Sequence, residues 1–398
     1  MMKQQQLLLL LILSSYIIPN NNAFQPLPRL STIQKPTKTT LYSSYRQEDI
    51  HSAVYRKEAE MKKINEQHSS LSDPVRMAIG YIEESNNMPM KLAKALRRVQ
   101  DDPDNNPDHP NYKPKTEEEQ KRADRLLEYG MQDAVMRRGS FIVDIKRKSL
   151  SRPGEVFAGF DDSGMVAEAM VSLGADVVFV NVDYPSYGGD MSELRSAVKA
   201  VRRVSDTAAV VMKDIIVDEI QLGLAKDAGA DGVLLIASVL GPALSNFLDL
   251  ATTIGLETIV ECHTRNEVQY AIDALAQNIL VSNYDRVQQC YYPDQAYQLA
   301  GMFPGSGGPI ICLAGGDIDD TEKMKRLLSI GYDGVVVGKA AMGSARAPEF
   351  IRAVRDRTML PAEFSQWGLE NVEFDMDGNP MEGPKKNIPS PEDDDSFL

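Results

Sequence analysis

One pattern recurs along the middle of this chain, a short apolar run followed by a longer amphipathic stretch. It repeats eight times between residues 141 and 357, and each repeat leaves room for one helix and its two loops. Strands that alternate with helices in this way predict a parallel sheet built from βα units. The predicted strands begin at Phe141, Asp176, Ala209, Gly232, Glu257, Asn278, Pro309 and Gly331.

Eight such units fit an α/β fold of the (β/α)8 or TIM-barrel type, which places its functional groups at the carboxyl ends of the strands. The Gly-Ala-Asp phrases at 174–176 and 229–231 favour it, because glycine can end a helix just before the next strand. The main alternative is a doubly wound open sheet. It is disfavoured because the glycines at 305–308 precede a strand, whereas a dinucleotide fingerprint opens a helix.

The amino-terminal segments have the composition of targeting sequences. Residues 1–23 contain Lys3 and an apolar run at 7–13, the length of a signal-peptide core rather than of a membrane span. Residues 24–47 are rich in Ser, Thr and basic residues and contain no acidic residue, as in a transit peptide. Because Phe24 follows Ala23 at their junction, the pair resembles the bipartite presequence of proteins sent to complex plastids. We therefore predict the chloroplast stroma as the location, with ordinary secretion as the alternative.

The remaining chain divides into three parts. Residues 48–139 form a polar helical extension, with its clearest helices predicted at 90–98 and 116–127, where Thr116 has the character of an N-cap. Residues 140–358 form the barrel. Residues 359–398 are rich in Pro, Gly and acidic residues and predict a solvated tail without a core.

Composition excludes several classes of partner. A net charge of −14 argues against a nucleic-acid surface, so an anionic ligand has to be bound in a local pocket. The three cysteines have no CxxC spacing, which indicates neither a disulfide framework nor a zinc site. The Asp-rich loop at 101–114 lacks the glycine of a calcium loop, since Pro107 occupies that place. We predict no metal, and no membrane contact for the mature protein.

Charged residues stand at the ends of three predicted strands. Asp144 and Lys146 are two apart and share a face of the first strand, Lys213 ends the third, and Glu261 ends the fifth. Two neighbouring ammonium groups favour loss of a proton from each other, which suits a general acid. Glu261 then balances that charge or acts as a base. A purely structural Lys–Glu pair remains open, and Asp144 is either a reactant or the partner that orients Lys146.

Other polar residues near strand ends are weaker candidates. His263 has the position of a hydrogen-bonded loop residue more than that of a ligand. Asp183 and Asn283 follow strands and are predicted to orient a polar substrate.

Glycines after the last two strands indicate an anion site. Gly315 and Gly316 end the seventh strand, and Gly338 follows the eighth. Barrels present backbone N–H groups to a phosphate at these two loops. Lys148, beyond the first strand, is predicted to add a point charge to the same anion.

Several phrases together resemble the indole-3-glycerol phosphate synthase family. They are Lys146-Arg-Lys-Ser-Leu-Ser151, Tyr187-Gly-Gly189, Lys213-Asp-Ile-Ile216, the segment 228–236, Gly255-Leu-Glu-Thr-Ile-Val-Glu261-Cys-His263 and Val337-Gly338. The resemblance runs in order through the whole predicted barrel. It implies closure of a carboxyphenylamino-deoxyribulose 5-phosphate to an indole in tryptophan synthesis, with loss of carbon dioxide and water and without metal or organic cofactor.

The resemblance also implies roles for individual residues. Lys213 would protonate the ketose oxygen, Lys146 would hold the carboxylate and assist dehydration, and Glu261 would be the base. Asp144 stands where the family usually has glutamate, and Ser149 belongs to the first motif as a substrate contact. The implied partner is a small phosphorylated substrate, with other enzymes of tryptophan synthesis as further candidates. A helical segment before the first strand covers part of the barrel in the family, which predicts that role for residues 116–138.

The chain departs from the family pattern at two strand ends. Ser282 and Tyr284 stand where the family has Asn and Arg, and Gly315 and Gly316 stand where it has Glu and Ser. Two other functions therefore remain open. One is a barrel enzyme that acts on another phosphorylated sugar, and the other is a noncatalytic protein that binds a phosphorylated metabolite.

Overall fold

A computed structural model of the 398-residue chain describes residues 48–82, 91–97, 116–117, 121, 139–149, 152–156, 158–303, 309–342 and 346–355. The predicted presequence at 1–47 and the tail at 359–398 lie outside these ranges, as do most of the predicted helix at 116–127 and most of the predicted cover at 116–138. None of the helices within them is both long and apolar enough to cross a bilayer.

Eight parallel strands close into a barrel, which confirms the predicted fold class. Each observed strand begins within three residues of its predicted start. The barrel closes where β1 pairs with the last strand, Ser140 opposite Gly334. The barrel strands are β1 Ser140–Ile145, β4 Val177–Asn181, β5 Ala209–Lys213, β6 Gly232–Ile236, β7 Glu257–Cys262, β8 Asn278–Ser282, β11 Ile311–Gly315 and β12 Gly334–Val337.

The remaining strands form two short antiparallel ribbons that follow barrel strands. One joins β2 Lys148–Ser149 to β3 Arg152–Val156, and the other joins β9 Tyr284–Asp285 to β10 Cys290–Tyr291.

Helices precede the barrel and connect its strands, and most connecting helices begin at a side-chain cap. Asp162, Asp190, Thr264 and Asp320 each accept a backbone N–H in the first turn of their helix. The described helices are α1 Ile50–Gln67, α2 Pro74–Gly80, α3 Lys91–Arg97, α4 Ser163–Leu173, α5 Tyr184–Tyr187, α6 Met191–Val204, α7 Ile220–Asp227, α8 Ala237–Leu240, α9 Leu244–Thr253, α10 Arg265–Asp273, α11 Gln295–Leu299, α12 Thr321–Ser329, α13 Lys339–Met342 and α14 Ala347–Arg355.

Strand alternation separates two apolar cores. Phe141 and Val143 point outward and pack under the helices, whereas Ile142 points into the barrel with Phe179 and Leu234. Because side chains two apart share a face, residues 144 and 146 continue the inward row of Ile142. The inward row therefore carries charge at its carboxyl end and apolar groups below it.

Helix α3 closes the amino end of the barrel. Leu92 and Leu96 pack into the inner core, and Ser140 donates a hydrogen bond to the carbonyl of Leu96. The backbone N–H groups of Leu92 and Ala93 donate to the Glu257 carboxylate at 2.6 and 2.8 Å. Solvent access to the barrel interior is therefore left to the carboxyl end.

Helix α1 lies against the opposite end, near the carboxyl ends of β4 and β5. Ile50 and Ala53 pack on Ile215, and Met61 packs with Val75 and Ile220. Among the described residues, α1 is thus an element from before β1 that reaches the rim on which the predicted site lies.

Candidate active site

A cavity of about 560 Å³ opens at the carboxyl end of the barrel. It brings together seven of the residues predicted from sequence, namely Asp144, Lys146, Lys213, Glu261, Gly315, Gly316 and Gly338. The cavity also reaches Tyr187 of the Tyr187-Gly-Gly189 motif and residues that the sequence did not single out, among them Arg286, Gln289, Tyr291, Asp317, Asp319 and Lys339.

Asp144 links the two lysines. The Lys213 ammonium lies 3.2 Å from the Asp144 carboxylate, and Lys146 donates to the same oxygen. Asn181 donates to the other oxygen at 2.6 Å. Burial alone would raise the pKa of Asp144, but Lys146 and Lys213 outweigh it and hold the pKa well below its usual range. Asp144 is therefore an anion that fixes both ammonium groups.

Glu261 is surrounded by cations. The Lys213 ammonium lies 3.9 Å away, Arg286 donates to both carboxylate oxygens, and His263 Nε2 lies 3.1 Å from Oε1. Burial would raise the pKa of Glu261, yet Arg286, Lys213 and His263 hold it well below its usual range. The side chain is 2% exposed and remains a carboxylate throughout the neutral pH range.

His263 is a charged partner of Glu261. Its Nδ1 lies 3.0 Å from Glu267, so the ring is held between two carboxylates. Burial lowers the pKa of His263, but the two hydrogen-bonded carboxylates outweigh this and raise it to about 9. The ring therefore donates from both nitrogens near neutral pH, as a hydrogen-bonded residue rather than a ligand.

Arg286 is the main functional residue that the sequence reasoning missed. The hairpin β9–β10 brings it to Glu261, and Asp285 holds the turn by accepting the N–H groups of Val287 and Gln288. Arg286 also donates to the hydroxyl of Tyr187. One signal was present in the sequence, since Arg286 follows by two residues the position where the family carries arginine and this chain has Tyr284.

The glycine loops form the opposite wall. Gly316 has φ +86°, and a Cβ there would lie 2.7 Å from the Asn283 amide nitrogen, so only glycine fits without a shift. A Cβ at Gly315 would meet Leu280 at 3.1 Å and Val336 at 3.3 Å. The wall thus offers backbone in place of the side chains that the family has at these two positions.

Both signs of charge border the glycine loops. Asp317 and Asp319 line the cavity after β11, and Lys339 lines it directly after Gly338. A phosphate in this corner would gain from the lysine and from backbone N–H groups, and it would be opposed by the two carboxylates.

Three predicted substrate contacts, Lys148, Asp183 and Asn283, do not line the cavity. The Lys148 ammonium lies 5.2 Å from the ring centre of Tyr184 and does not line the cavity. The side chain of Ser149 lies outside the part of the chain that the structure describes. Asp183 and Asn283 are fully buried and also lie away from the cavity lining.

The polar atoms of Asp183 and Asn283 are used within the protein, which corrects the prediction that they orient a substrate. Asp183 accepts from Arg56 and Lys57 of helix α1. Asn283 accepts from the Ala296 amide at 2.9 Å and donates to the Gly316 carbonyl at 3.1 Å. Asn283 therefore holds the glycine loop in place instead of meeting a ligand.

The arrangement can perform acid and base chemistry on an anionic substrate. Two ammonium groups at fixed distances can donate protons or bind oxygen anions, and a carboxylate lies across from them. Among the residues that the structure describes, no group of three or more His, Cys, Asp or Glu side chains is placed to hold a metal ion.

Comparison with known proteins agrees with this geometry. The family model described as indole-3-glycerol phosphate synthase matches residues 93–354. The indole-3-glycerol phosphate synthase of Thermoanaerobacter pseudethanolicus is 32% identical over 203 residues, which are 51% of this chain and 74% of that protein. Those of Roseiflexus sp. and Chlorobium phaeovibrioides are 30% and 29% identical, over 54% and 51% of this chain and 79% and 76% of theirs.

Proposed function

Because the chain belongs to the indole-3-glycerol phosphate synthase family, we propose that it is a carboxy-lyase of tryptophan synthesis. It converts 1-(2-carboxyphenylamino)-1-deoxyribulose 5-phosphate to indole-3-glycerol phosphate, carbon dioxide and water. The observation that carries this proposal is the meeting of Lys146, Lys213, Glu261 and Asp144 in one cavity at the carboxyl end of a closed barrel.

Lys213 is the proton donor for the first step. The ring carbon that bears the carboxylate attacks the ketose carbonyl, a carbon–carbon bond forms, and the carbonyl oxygen takes a proton. The Lys213 ammonium suits this role because Asp144 at 3.2 Å and Glu261 at 3.9 Å hold it over the cavity. A positioned donor at the oxygen lowers the barrier because negative charge develops there.

Lys146 assists the loss of carbon dioxide and then the loss of water. Its ammonium pairs with the substrate carboxylate before the bond to the ring breaks, and the electron pair of that bond returns to the ring as carbon dioxide leaves. The new hydroxyl group then departs as water after it takes a proton from the same lysine. Asp144 fixes the ammonium from below, which leaves its other N–H groups for the substrate.

Glu261 accepts the last proton. A carboxylate with a lowered pKa is a weak base, but the carbon that it deprotonates becomes part of an aromatic ring, and such a carbon is acidic. The cations around Glu261 keep it ionised and fixed in direction, so that it is ready at neutral pH.

One observation favours a second candidate, a barrel enzyme that acts on another phosphorylated sugar. Gly315 removes the carboxylate that the family has at this position, and Leu280 and Val336 occupy the space beside it. Arg286, two residues after the position of the missing arginine, supplies a guanidinium group to the cavity. The missing carboxylate has no such replacement, because Asp317 and Asp319 lie beyond the glycine loop. A head group other than the carboxyphenyl ring would meet a changed wall there.

Turnover of the carboxyphenylamino-deoxyribulose phosphate by the purified protein, followed by indole fluorescence, tests the proposal. We expect turnover, its loss in Lys213→Ala, and no change in Lys63→Ala, which alters an exposed lysine of α1. Rescue of a tryptophan auxotroph that lacks this enzyme is the cellular form of the test. Tight binding without turnover would instead indicate a noncatalytic protein, and absence of both would favour the second candidate.

For cellular location we propose import into a plastid, supported by the composition of residues 1–47. A fluorescent protein fused behind this segment should enter the plastid in a cell with complex plastids, and Phe24→Ala should divert it. Fluorescence in the secretory pathway with both sequences would contradict the proposal. Association with other enzymes of tryptophan synthesis is a further proposal, which rests on the shared pathway and is tested by co-purification.

A further inference from the structure

Helix α1 lies outside the family match, which begins at residue 93, yet it carries a buried charge to the barrel rim. Lys57 is only 2% exposed. An ammonium group that has left water is tolerated only when anions replace its hydration. The carboxylates that pair with Lys57 therefore hold helix α1 against the barrel.

Apart from Glu60 of the same helix, at 3.3 Å, the partners of Lys57 are at the ends of two neighbouring barrel strands. The Lys57 ammonium lies 2.8 Å from Asp183, just beyond β4, and 3.0 Å from Asp214, which directly follows β5. Between the two acids, the Val182 amide donates to the Lys213 carbonyl at 3.0 Å. One ammonium group thus ties both strand ends together beside the backbone of Lys213.

A second cation of α1, Arg56, also binds the end of β4 through Asp183. Arg56 donates to both oxygens of Asp183, at 2.9 and 2.8 Å. Asp183 caps the short helix α5 by accepting the Ser186 amide at 3.3 Å, and α5 ends at Tyr187, whose hydroxyl accepts from Arg286. The contacts of α1 therefore lead to two of the three cationic groups that surround Glu261, namely Lys213 and Arg286.

The two acids depend on these cations. Burial raises the pKa of Asp214, and it would raise that of Asp183 if Arg56 and Lys57 did not hold the pKa of Asp183 well below its usual range. Without Lys57, two buried carboxylates of like charge would face each other. They would then take up a proton or move apart, and either change displaces a strand end.

We propose that Lys57 is a positioning residue for Lys213. By holding Asp183 and Asp214 together it fixes the ends of β4 and β5, and so keeps the Lys213 ammonium between Asp144 and Glu261. The inference rests on the proposed function, because turnover is its first readout. No atom of Lys57 lines the cavity, so its loss acts on kcat and leaves KM nearly unchanged.

Three variants of the full chain test the proposal. Lys57→Met removes the charge and keeps most of the stem, and we expect kcat to fall about 10- to 100-fold, as for a small misplacement of a reacting group. Lys62→Met changes an exposed lysine of the same helix and should leave kcat unchanged. Met61→Ala weakens the apolar docking of α1 without touching a charge, and should lower Tm while kcat stays within about twofold.

Two results would overturn the proposal. One is a Lys57→Met enzyme with kcat within about twofold of the wild type. The other is an equal loss of kcat in Met61→Ala at a similar loss of Tm, which would mean that α1 only stabilises the fold. If Lys57→Met does not fold, Asp214→Asn replaces it, because that variant leaves Lys57 paired with Asp183. Asp214→Asn should also lower kcat while KM stays nearly unchanged, and an unchanged kcat in this variant counts against the proposal.

Hydrogen exchange gives a readout that does not need turnover. The Val182 amide should exchange faster in Lys57→Met than in the wild type and in Lys62→Met, because its bond to the Lys213 carbonyl opens more often. Unchanged protection would overturn the proposal. If the wild-type protein shows no synthase turnover, the proposed function fails, and the exchange experiment alone then decides the role of Lys57.

Discussion

Strand β7 carries two carboxylates on the same face, Glu257 at its amino end and Glu261 at its carboxyl end, and they are shifted in opposite directions. Burial raises the pKa of Glu257 to about 7, against hydrogen bonds from two backbone N–H groups of α3. Glu261 is the more deeply buried of the two, yet its pKa lies well below its usual range because Arg286, Lys213 and His263 surround it. Burial alone therefore does not decide the charge state of a carboxylate, whereas the cations supplied by the surrounding elements do.

The difference follows from how each end of the barrel is closed. At the amino end α3 supplies Leu92 and Leu96 to the inner core, and its peptide groups are the partners that Glu257 meets there. At the carboxyl end the strands, the β9–β10 hairpin and α1 all bring charged side chains. An end closed by apolar packing serves stability, and an end lined by paired charges around a cavity serves chemistry.

Replacing each glutamate by glutamine should give the largest difference in kcat between changes at the two ends of the barrel. Glu261→Gln removes the proposed base and should lower kcat about 10³-fold, within the usual range for a lost general base. Glu257→Gln changes a residue remote from the cavity and should leave kcat within about twofold at pH 7. Steady-state kinetics on both variants, with Tm measured alongside, makes the comparison. A Glu261→Gln enzyme that keeps more than about a tenth of the activity would show that the proton acceptor is another group.

Arg286→Met should have the next largest effect, because it removes the cation that lowers the pKa of Glu261 most. With that cation gone the pKa of Glu261 rises, so activity that needs the carboxylate is lost at a higher pH than in the wild type. We expect kcat to fall about tenfold at neutral pH, and the acid limb of the pH profile to move upward.

Arg265→Met provides the matched control for Arg286, since Arg265 is an exposed arginine at the start of α10. It should leave both kcat and the pH profile unchanged. If Arg286→Met lowers activity without moving the acid limb, Arg286 acts on the substrate rather than through Glu261.

Much of the fold was predictable because its determinants are local in sequence. The starts of all eight barrel strands were located within three residues, since apolar runs and Gly-Ala-Asp phrases mark them directly. Gly174 and Gly229 have the positive φ values that this reading requires. The helix predicted at 90–98 is observed as α3, but its position across the amino end depends on Glu257, a contact 165 residues away.

The site was predictable only where it depends on strand ends. Asp144, Lys146, Lys213 and Glu261 follow from strand alternation, which fixes the face on which each lies. Arg286 was missed because a hairpin turn brings it back over the strand end, and no periodicity records such a turn. The pairing of α1 with Asp183 was missed for a similar reason, because it joins residues 127 positions apart. Asp183 and Asn283 looked available to substrate because sequence shows a polar residue without its hydrogen-bond partners.

The pH dependence of the free energy of unfolding should distinguish Glu257, at the amino end of β7, from Glu261, near its carboxyl end. Folding raises the pKa of Glu257 from 4.5 to about 7, so between these values the folded chain keeps a proton that the unfolded chain has lost. Unfolding then releases a proton, and stability falls as pH rises through this window. The contribution of Glu257 is fully present below about pH 4.5 and is lost above about pH 7.

Glu257→Gln removes this contribution because glutamine does not titrate. The free energy of unfolding of the wild type should therefore fall by about 2 kcal/mol more than that of Glu257→Gln between pH 5 and pH 7.5, after allowance for the partial exposure of the side chain. Urea denaturation of both proteins across this range measures the difference. His263, whose pKa is raised to about 9, titrates in both proteins alike, so the difference isolates Glu257. Parallel curves would mean that the N–H groups of Leu92 and Ala93 stabilise the carboxylate as well as water does, and the contrast between the two ends of β7 would then rest on Glu261 alone.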